Sequence, residues 1–517
     1  MILFIAKAVG YLILTLIGLY LSREVIFFIK SYKYIKQKMH FKYTPMIGYA
    51  GFMFERDGKD QIEPYLQLFE QEKKKGKTVD ILLANSPTFL GPILFLNDKD
   101  LLSEFSKIET SVSQKCDTLD LPPTDSFLYK FGKRALDNRS VYHEIFYASN
   151  LKKMNKKIKL IIERHVKEIR KSLDSAGAKD KDGFVEVELK GHIQNIFTDF
   201  VGYVLFGDDI PVVNGKKLTE LIEGTIALRI VSTFSPLNAL SFGLYNFLGL
   251  SSEYNQSVKN FRQIYDFLAK VIKKRDKSTG YKRGLNAIDL VLNKNDQLRE
   301  NNKLSEVLTE KEILDDIILL IFAGMDTSKN TTEASLDHLS RDVDLQKQLR
   351  EDIAEKILTK NLQYDFDAYD AHRLLSLFLK ESLRLFGPVY LGFTKLAKKN
   401  FKLGRYKIYK GTRMMVPHSA LHRKPEYYSN PEKFDIQNFG DEEKLKKFGK
   451  HGYQPFSAGK RACIGKSLAE LSIKMILTSF LGAFELRAPE GPQRKILQST
   501  YGLETCRVKL RSLTVNY

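Results

Sequence analysis

The sequence predicts a mainly α fold with small β-sheets, preceded by one N-terminal transmembrane helix. Three observations predict it. The chain opens on the apolar run MILFIAKAVGYLILTLIGLYL. Two later stretches, Leu151 to Arg170 and Thr309 to Ser340, repeat apolar residues at helical spacing over several turns. Strand-like runs are few and short: TVDILLA at 78–84, ILFLN at 93–97 and FVEVEL at 184–189. With 517 residues the chain can bury a large core, and a hydrophobic fraction of 43% is globular rather than disordered.

The elements follow in order. Residues 8 to 21 are uncharged, which alone is short of the ~20 residues that cross a bilayer. Residues 1 to 7 complete the length, because Lys7 lies near the end and can snorkel. Arg23, Lys30, Lys33, Lys36, Lys38 and Lys42 then hold the following chain on the cytosolic side. A cleaved signal peptide is disfavoured, because the basic flank lies on the wrong side and no small-residue cleavage site follows. The expected division is an anchor over 1–28, a basic linker over 29–45 and one large domain over 46–517.

A helix is expected near DLLSEFS (100–106) and over 131–150. From 151 to 170, Leu151, Met154, Ile158, Ile162 and Ile169 trace the apolar stripe, and Lys152, Lys153, Lys156, Lys157 and Lys159 the solvated face. SAGAKDKDG (175–183) reads as a loop and 191–206 as a helix. STFSPLNALSFGLYNFLGL (232–250) is apolar for a connection. It is either core, or a surface that touches a membrane and guards an apolar entrance. Residues 275–305 are polar and read as a mobile loop. Thr309 and Glu312 form a capping box that starts a long helix, with Leu308 and Ile313 as its staple. Its apolar middle should cross the domain centre.

The net charge of +20 suits nucleic acid, an anionic membrane or an acidic protein partner. Nucleic acid is disfavoured, since the lysine face lacks interleaved Arg and aromatic residues. The three cysteines, Cys116, Cys463 and Cys506, show no CxxC spacing. That argues against a disulfide framework or zinc finger and for a reducing compartment. Of three sequons, those at Asn138 and Asn330 fall in expected helices, where glycans would prevent folding.

One cysteine is placed for chemistry. Phe456 to Gly465 reads FSAGKRACIG, and the chain after Cys463 has helical spacing. Cys463 thus precedes a helix N-terminus, where the dipole and the cations Lys460 and Arg461 favour a thiolate. Gly459 and Gly465 allow a sharp turn and close approach to something flat. One thiolate does not complete a tetrahedral metal site, but it can be the axial ligand of a haem iron.

The pattern FxxGxRxCxG, at Phe456, Gly459, Arg461, Cys463 and Gly465, is similar to the haem-ligand loop of cytochrome P-450 monooxygenases. The resemblance implies that family's mainly α fold, haem b (iron protoporphyrin IX) as cofactor and Cys463 as its axial ligand. A second match is Ala323-Gly324-Met325-Asp326-Thr327 in the long helix. A mid-helix Gly costs ~1 kcal/mol relative to Ala. In the family this segment leaves room over the haem, and Asp326 and Thr327 resemble the acid–alcohol pair that delivers protons for O–O cleavage. The Thr327 hydroxyl can bond the Ala323 carbonyl and help a local distortion. A third match is Glu381-Ser382-Leu383-Arg384. ExxR is common and usually lies on a surface, but at this place it resembles the family's buried structural pair. Its usual third member, an arginine, is replaced by Asn438. The resemblance assigns haem-carboxylate cations to Arg461, to Arg139 (where Ala135 takes the family's tryptophan position) and to Lys395, where many members carry arginine. It covers about residue 45 to the C-terminus, including 403–435. The family's proline-rich hinge after the anchor is reduced to Pro45.

The implied function is insertion of one oxygen atom from O2 into an apolar substrate: a fatty acid, sterol or xenobiotic. Candidate lining segments are 112–128, 232–250, 318–327, 389–394 and 499–504. Electrons would come from NADPH through NADPH-cytochrome P-450 reductase, with cytochrome b5 as a further donor. Lys444, Lys446, Lys447, Lys450, Lys460 and Lys466 would steer the acidic partner. The implied location is the endoplasmic reticulum membrane, single-pass, in contact with membrane lipid and with a cytosolic catalytic domain. Two alternatives are a reductase-independent haem-thiolate isomerase and a non-catalytic haem-binding sensor. The first has no need of the Asp326-Thr327 relay; the second needs neither relay nor basic patch.

Overall fold

The computed structural model describes residues 2–37, 39–42, 79–84, 92–115, 125–175, 179–233, 235, 237–238, 241, 243–275, 277–363, 365–497 and 500–513. The helices that build the fold are α1 (Ile2–Ile35), α2 (Lys99–Val112), α3 (Gly132–His143), α4 (Ala148–Asp174), α5 (Lys190–Phe206), α6 (Leu218–Thr233), α7 (Ser252–Lys274), α8 (Ala287–Glu300), α9 (Glu310–Arg341), α10 (Val343–Ile353), α11 (Arg373–Phe386) and α12 (Lys466–Ala483). Shorter helical turns lie between them.

The strands are short, as expected. β1 (His40–Lys42), β2 (Ile81–Ala84), β3 (Ile93–Leu96), β4 (Ser113–Lys115), β8 (Lys395–Ala397) and β11 (Arg413–Met415) make a six-stranded sheet in the order β1-β2-β3-β11-β8-β4. β1 and β2 run parallel, with Phe41 opposite Leu83; β3 and β11 do too, with Leu94 opposite Met414. β5 (Val185–Glu188), β12 (Phe484–Arg487) and β15 (Arg507–Ser512) form a three-stranded sheet with β15 central. Three two-stranded ribbons complete the β structure: β6 (Val212–Val213) with β7 (Lys216–Lys217), β9 (Phe401–Leu403) with β10 (Tyr406–Ile408), and β13 (Lys495–Leu497) with β14 (Tyr501–Leu503).

The main core is helical. The predicted α4 stripe of Leu151, Met154, Ile158, Ile162 and Ile169 is buried there beside Phe197, Ile318 and Phe480. α9 passes through this core and packs against α5, α6, α7, α11 and α12. Its capping box is present: Thr309 receives the Glu312 N–H at 3.2 Å, and Glu312 receives the Thr309 N–H at 2.9 Å. A second cluster lies on the sheet, from Leu94 and Phe105 to Tyr34 in the first helix.

Several expectations change. Residues 131–150 are broken at Glu144–Phe146, where the chain tightens between α3 and α4. Lys159 is buried, not solvated, and donates to Ser479 Oγ at 2.6 Å. Residues 275–305 hold a full helix, α8, whose cap Asn286 accepts from the Asp289 N–H at 3.1 Å. Of the two readings of 232–250, the described apolar residues fit the surface one, since Leu237, Leu244, Phe247, Leu248 and Leu250 are exposed. α1 continues through the start of the stretch read as a basic linker and buries Tyr34. Among the described residues no helix is long and apolar enough to cross a membrane. Cys116 and Pro45 lie outside the described residues.

Candidate haem-thiolate site

The cysteine loop turns as its glycine at 459 requires. Gly459 has φ +74°, and a Cβ there would stand 2.7 Å from the Ser106 carbonyl oxygen. Gly465 differs from expectation: its φ is −86°, open to any residue, and it caps α12. The Cys463 N–H donates to the Phe456 carbonyl at 2.8 Å, which closes the loop across its length.

Cys463 is exposed. Burial pushes its thiol up, against the pull of the Gly465 backbone, Lys115 and Arg139. An exposed side chain whose thiol is nonetheless pushed up by burial is what a group facing a space within the fold would show. Gly324 on α9 shows the same combination. It is exposed at the centre of a buried helix, and a Cβ there would meet nothing nearer than Val201 Cγ2 at 4.0 Å.

Cations gather around the cysteine. Arg139, partly buried, is held below its ordinary value by burial, with Cys463 pulling it up and Arg461 pushing it down. Arg461 is buried and donates to the carbonyl of Lys130 at 3.2 Å, and to those of Phe127 and Leu128. Lys395 is buried, 3.5 Å from Glu109 Oε1 and 5.1 Å from the Phe105 ring centre. The structure adds Lys115, which sequence reasoning did not single out. Its ammonium donates to the Arg461 carbonyl at 3.2 Å. Burial lowers it to about 7, with Glu109 raising it and Arg461, Lys395 and Arg139 lowering it further. Among the described residues, four basic side chains share one partly desolvated region with Glu109, while Glu470 also acts on the thiol. That is a set short of negative charge, and it fits a dianionic planar group such as haem. Among the described residues no cluster of His, Cys, Asp or Glu could hold a bare metal ion.

On α9 the Thr327 hydroxyl donates to the Ala323 carbonyl at 2.7 Å, as the spacing predicts, and the helix runs on unbroken. Asp326 is buried. Its Oδ2 accepts from Thr500 Oγ1 at 2.7 Å and its Oδ1 lies 3.3 Å from Lys329 Nζ. Lys329 also stands 3.9 Å from Glu223 on α6. Burial lowers Lys329, but Glu223, Asp326 and Glu333 more than offset this, so it is raised and stays charged. Lys329 and Glu223 were not legible as site residues. The available signal was a lysine three residues after Asp326, on the same helix face.

Glu381 and Arg384 are a buried pair at 2.7 Å. Every guanidinium donor is used: two reach Glu381, and the others reach the carbonyls of His422 at 3.1 Å, Pro431 at 2.6 Å and Lys433 at 2.9 Å. Asn438 Nδ2 donates to Glu381 Oε1 at 3.1 Å, so asparagine satisfies the carboxylate where an arginine was the expectation. The sequon residues are occupied too: Asn138 donates to Glu312 at 2.9 Å and Asn330 to Thr500 at 2.6 Å. Of the basic patch, Lys460 and Lys466 are exposed and Lys446 is paired with Glu443 at 2.8 Å. The side chains of Lys444, Lys447 and Lys450 lie outside the described residues.

A family model described as Cytochrome P450 matches residues 49–510. Among curated proteins, the chain is similar to Cytochrome P450 3A15 of Cavia porcellus, 30% identical over 47% of this chain and 46% of that protein. It is similar to Cytochrome P450 3A31 of Mesocricetus auratus, 30% identical over 56% of each. It is similar to Cytochrome P450 3A27 of Oncorhynchus mykiss, 27% identical over 67% of this chain and 65% of that protein. The chain thus spans about half the length of the first two relatives it matches. With a family match over nearly its whole length and the thiolate loop inside that match, the chain belongs to the cytochrome P450 family, whose members bind haem b iron through a cysteine thiolate.

Proposed function

We propose that the chain is a haem-thiolate monooxygenase that inserts one oxygen atom of O2 into an apolar organic substrate, with electrons from NADPH through a reductase. The observation that carries this reading is Cys463, exposed yet with its thiol pushed up by burial, beside Lys115 and Arg139, with Arg461 and Lys395 next to Lys115 in turn. Haem held by Cys463 supplies the binding and reductive activation of O2. The four cations hold its carboxylates. Gly324 keeps the centre of α9 clear of side chain. Thr327 would offer its hydroxyl at that centre, where it donates to the Ala323 carbonyl, and Asp326, held by Thr500 and Lys329, would take up and pass on protons beside it. Glu381, Arg384 and Asn438 brace the scaffold.

The exposed apolar surface over 237–250 favours contact with lipid and entry of an apolar substrate of the fatty acid, sterol or xenobiotic class. The anchor reading rests on the sequence MILFIAKAVGYLILTLIGLYL, most of whose side chains lie outside the described residues: the first half of α1 is the single membrane anchor, and the domain lies on the cytosolic side of the endoplasmic reticulum. Buried Asn138 and Asn330 support that side, because neither can carry a glycan. Lys460 and Lys466 face an acidic NADPH-cytochrome P-450 reductase, with cytochrome b5 as a second donor.

The test is the absorption spectrum of the dithionite-reduced, carbon monoxide-bound protein beside Cys463→Ala, followed by turnover with NADPH, reductase and labelled O2. A strongly red-shifted Soret band lost in the variant, and one labelled oxygen in the product, are the expected results. A histidine-type band in folded wild type, or product formed without reductase, sinks the reading.

A further inference from the structure

The helix that begins the chain is continuous from Ile2 to Ile35. α1 is 34 residues long. At about 1.5 Å per residue it exceeds the ~30 Å hydrocarbon layer, which takes up ~20 residues. The remainder does not become a loose linker. Glu24, Phe27, Ser31 and Tyr34 form one buried stripe, of which Phe27 and Tyr34 belong to the apolar cluster on the sheet. The Tyr34 hydroxyl accepts from the Tyr409 N–H at 3.1 Å and bonds Thr412. The Gln37 amide donates to the Lys407 carbonyl at 3.1 Å and accepts from the Lys407 N–H at 2.6 Å, as a paired strand would. Three residues later the chain enters β1, the edge of the six-stranded sheet.

The opposite face of the same segment is apolar and uncovered. Val25 is 57% exposed, Phe28 44%, Ile29 67%, Tyr32 58% and Ile35 40%. It continues the exposed stripe of Tyr11, Leu14, Ile17 and Leu21 from the anchor half. Lys30 and Lys36 are exposed beside it, a charge pattern that suits anionic headgroups. A helix leaving a membrane obliquely has lipid on one side and can have protein on the other.

We propose that residues 24–35 of α1 are a lipid-facing surface locked to the catalytic domain, so that the domain's pose on the bilayer is set by a rigid, oblique helix. This rests on the membrane-anchor reading above. The sheet-edge dock fixes the end of α1 to the domain, and apolar residues past the span stay in the interfacial layer.

The chain contains no tryptophan, so each single Trp variant carries one unambiguous reporter. The full haem-loaded chain would be placed in phosphatidylcholine–phosphatidylserine vesicles, with or without brominated acyl chains. The variants are Tyr11→Trp in the anchor, Phe28→Trp and Tyr32→Trp on the proposed face, and Tyr147→Trp on the exposed surface of the domain. An unchanged carbon monoxide spectrum shows that each is folded. Brominated lipid is expected to quench Phe28→Trp and Tyr32→Trp about twofold, as for an interfacial helix face sunk ~5–10 Å, and to leave Tyr147→Trp unaffected. If Tyr11→Trp is quenched while both 28 and 32 behave like 147, the anchor stands and the lipid-facing dock is overturned. If Tyr11→Trp is also unquenched, the anchor reading fails and takes this inference with it.

Discussion

A methyl group at position 459 has no room. The residue sits at φ +74°, and its Cβ would press on a backbone oxygen at 2.7 Å, an atom that cannot swing aside. Gly459→Ala is therefore expected to cost upwards of ~1 kcal/mol in stability and to lower bound haem per protein. Gly465→Ala, at φ −86° and with Phe146 Cε1 3.9 Å from the new carbon, is expected to be nearly neutral. Thermal unfolding and haem content of the two variants side by side would check the contrast. The sequence motif treats the two glycines alike; only backbone geometry separates them.

Glu333 carries a second test at this scale. It is fully buried on α9, and neither carboxylate oxygen has a hydrogen-bond partner among the described residues. Burial pushes it from 4.5 to about 8, with Lys329 and Lys190 pulling against this. Between those values the unfolded chain has lost a proton that the folded chain keeps. Stability should therefore fall as pH rises from about 4.5 to about 8, with no contribution from this group below that window. Glu333→Gln should flatten that part of the profile and unfold at higher temperature than wild type near the upper end. Melting curves across the window would show it, and parallel profiles for the two proteins would contradict it.

At the scale of elements, α8 is where sequence reading failed. Its buried apolar positions are Ala287, Ile288, Val291 and Leu298, but Asn295 takes the core place between the last two. That asparagine is satisfied by the Leu308 backbone through two bonds of 2.9 Å, so a polar side chain does core work and the periodicity disappears. The same holds for Asp289. It is fully buried and receives Arg275 at 2.8 Å, Gly284 N–H at 2.8 Å and Asn286 at 2.7 Å. Arg275→Met leaves that carboxylate without its cation and should destabilise by about 3–5 kcal/mol, read as a large drop in melting temperature. α4, α5, α9 and α12 were legible because their buried faces are aliphatic. The cysteine loop and the Glu381–Arg384 pair were legible because their key residues lie within a few positions of each other. Lys115 was not, since it meets Arg461 across 346 residues of chain. Lys159 was misread because its ammonium finds a hydroxyl inside the core.

For the whole molecule, the proposed function makes the charge of +20 a means of steering an acidic electron donor. Much of that charge is spread over the surface and does not discriminate between faces. The discriminating residues should be those at the cysteine loop, where an electron must arrive. Lys460 is exposed there, and Lys466 is 56% exposed and only 3.9 Å from Glu470, too loose a pair to cancel it. Lys446 is already paired and should matter less. Reversing Lys460 and Lys466 to Glu is expected to raise the KM for reductase severalfold and to flatten its dependence on salt, because long-range steering is what salt screens. The carbon monoxide spectrum and turnover driven by peroxide should be unchanged, since neither side chain points into the haem-bearing interior. Reversing Lys270 and Lys273 on α7 changes net charge equally without touching that face. If both double variants weaken reductase alike, steering depends on total charge and the cysteine face has no privileged role. If only the first pair does, the donor docks where the thiolate loop comes nearest the surface.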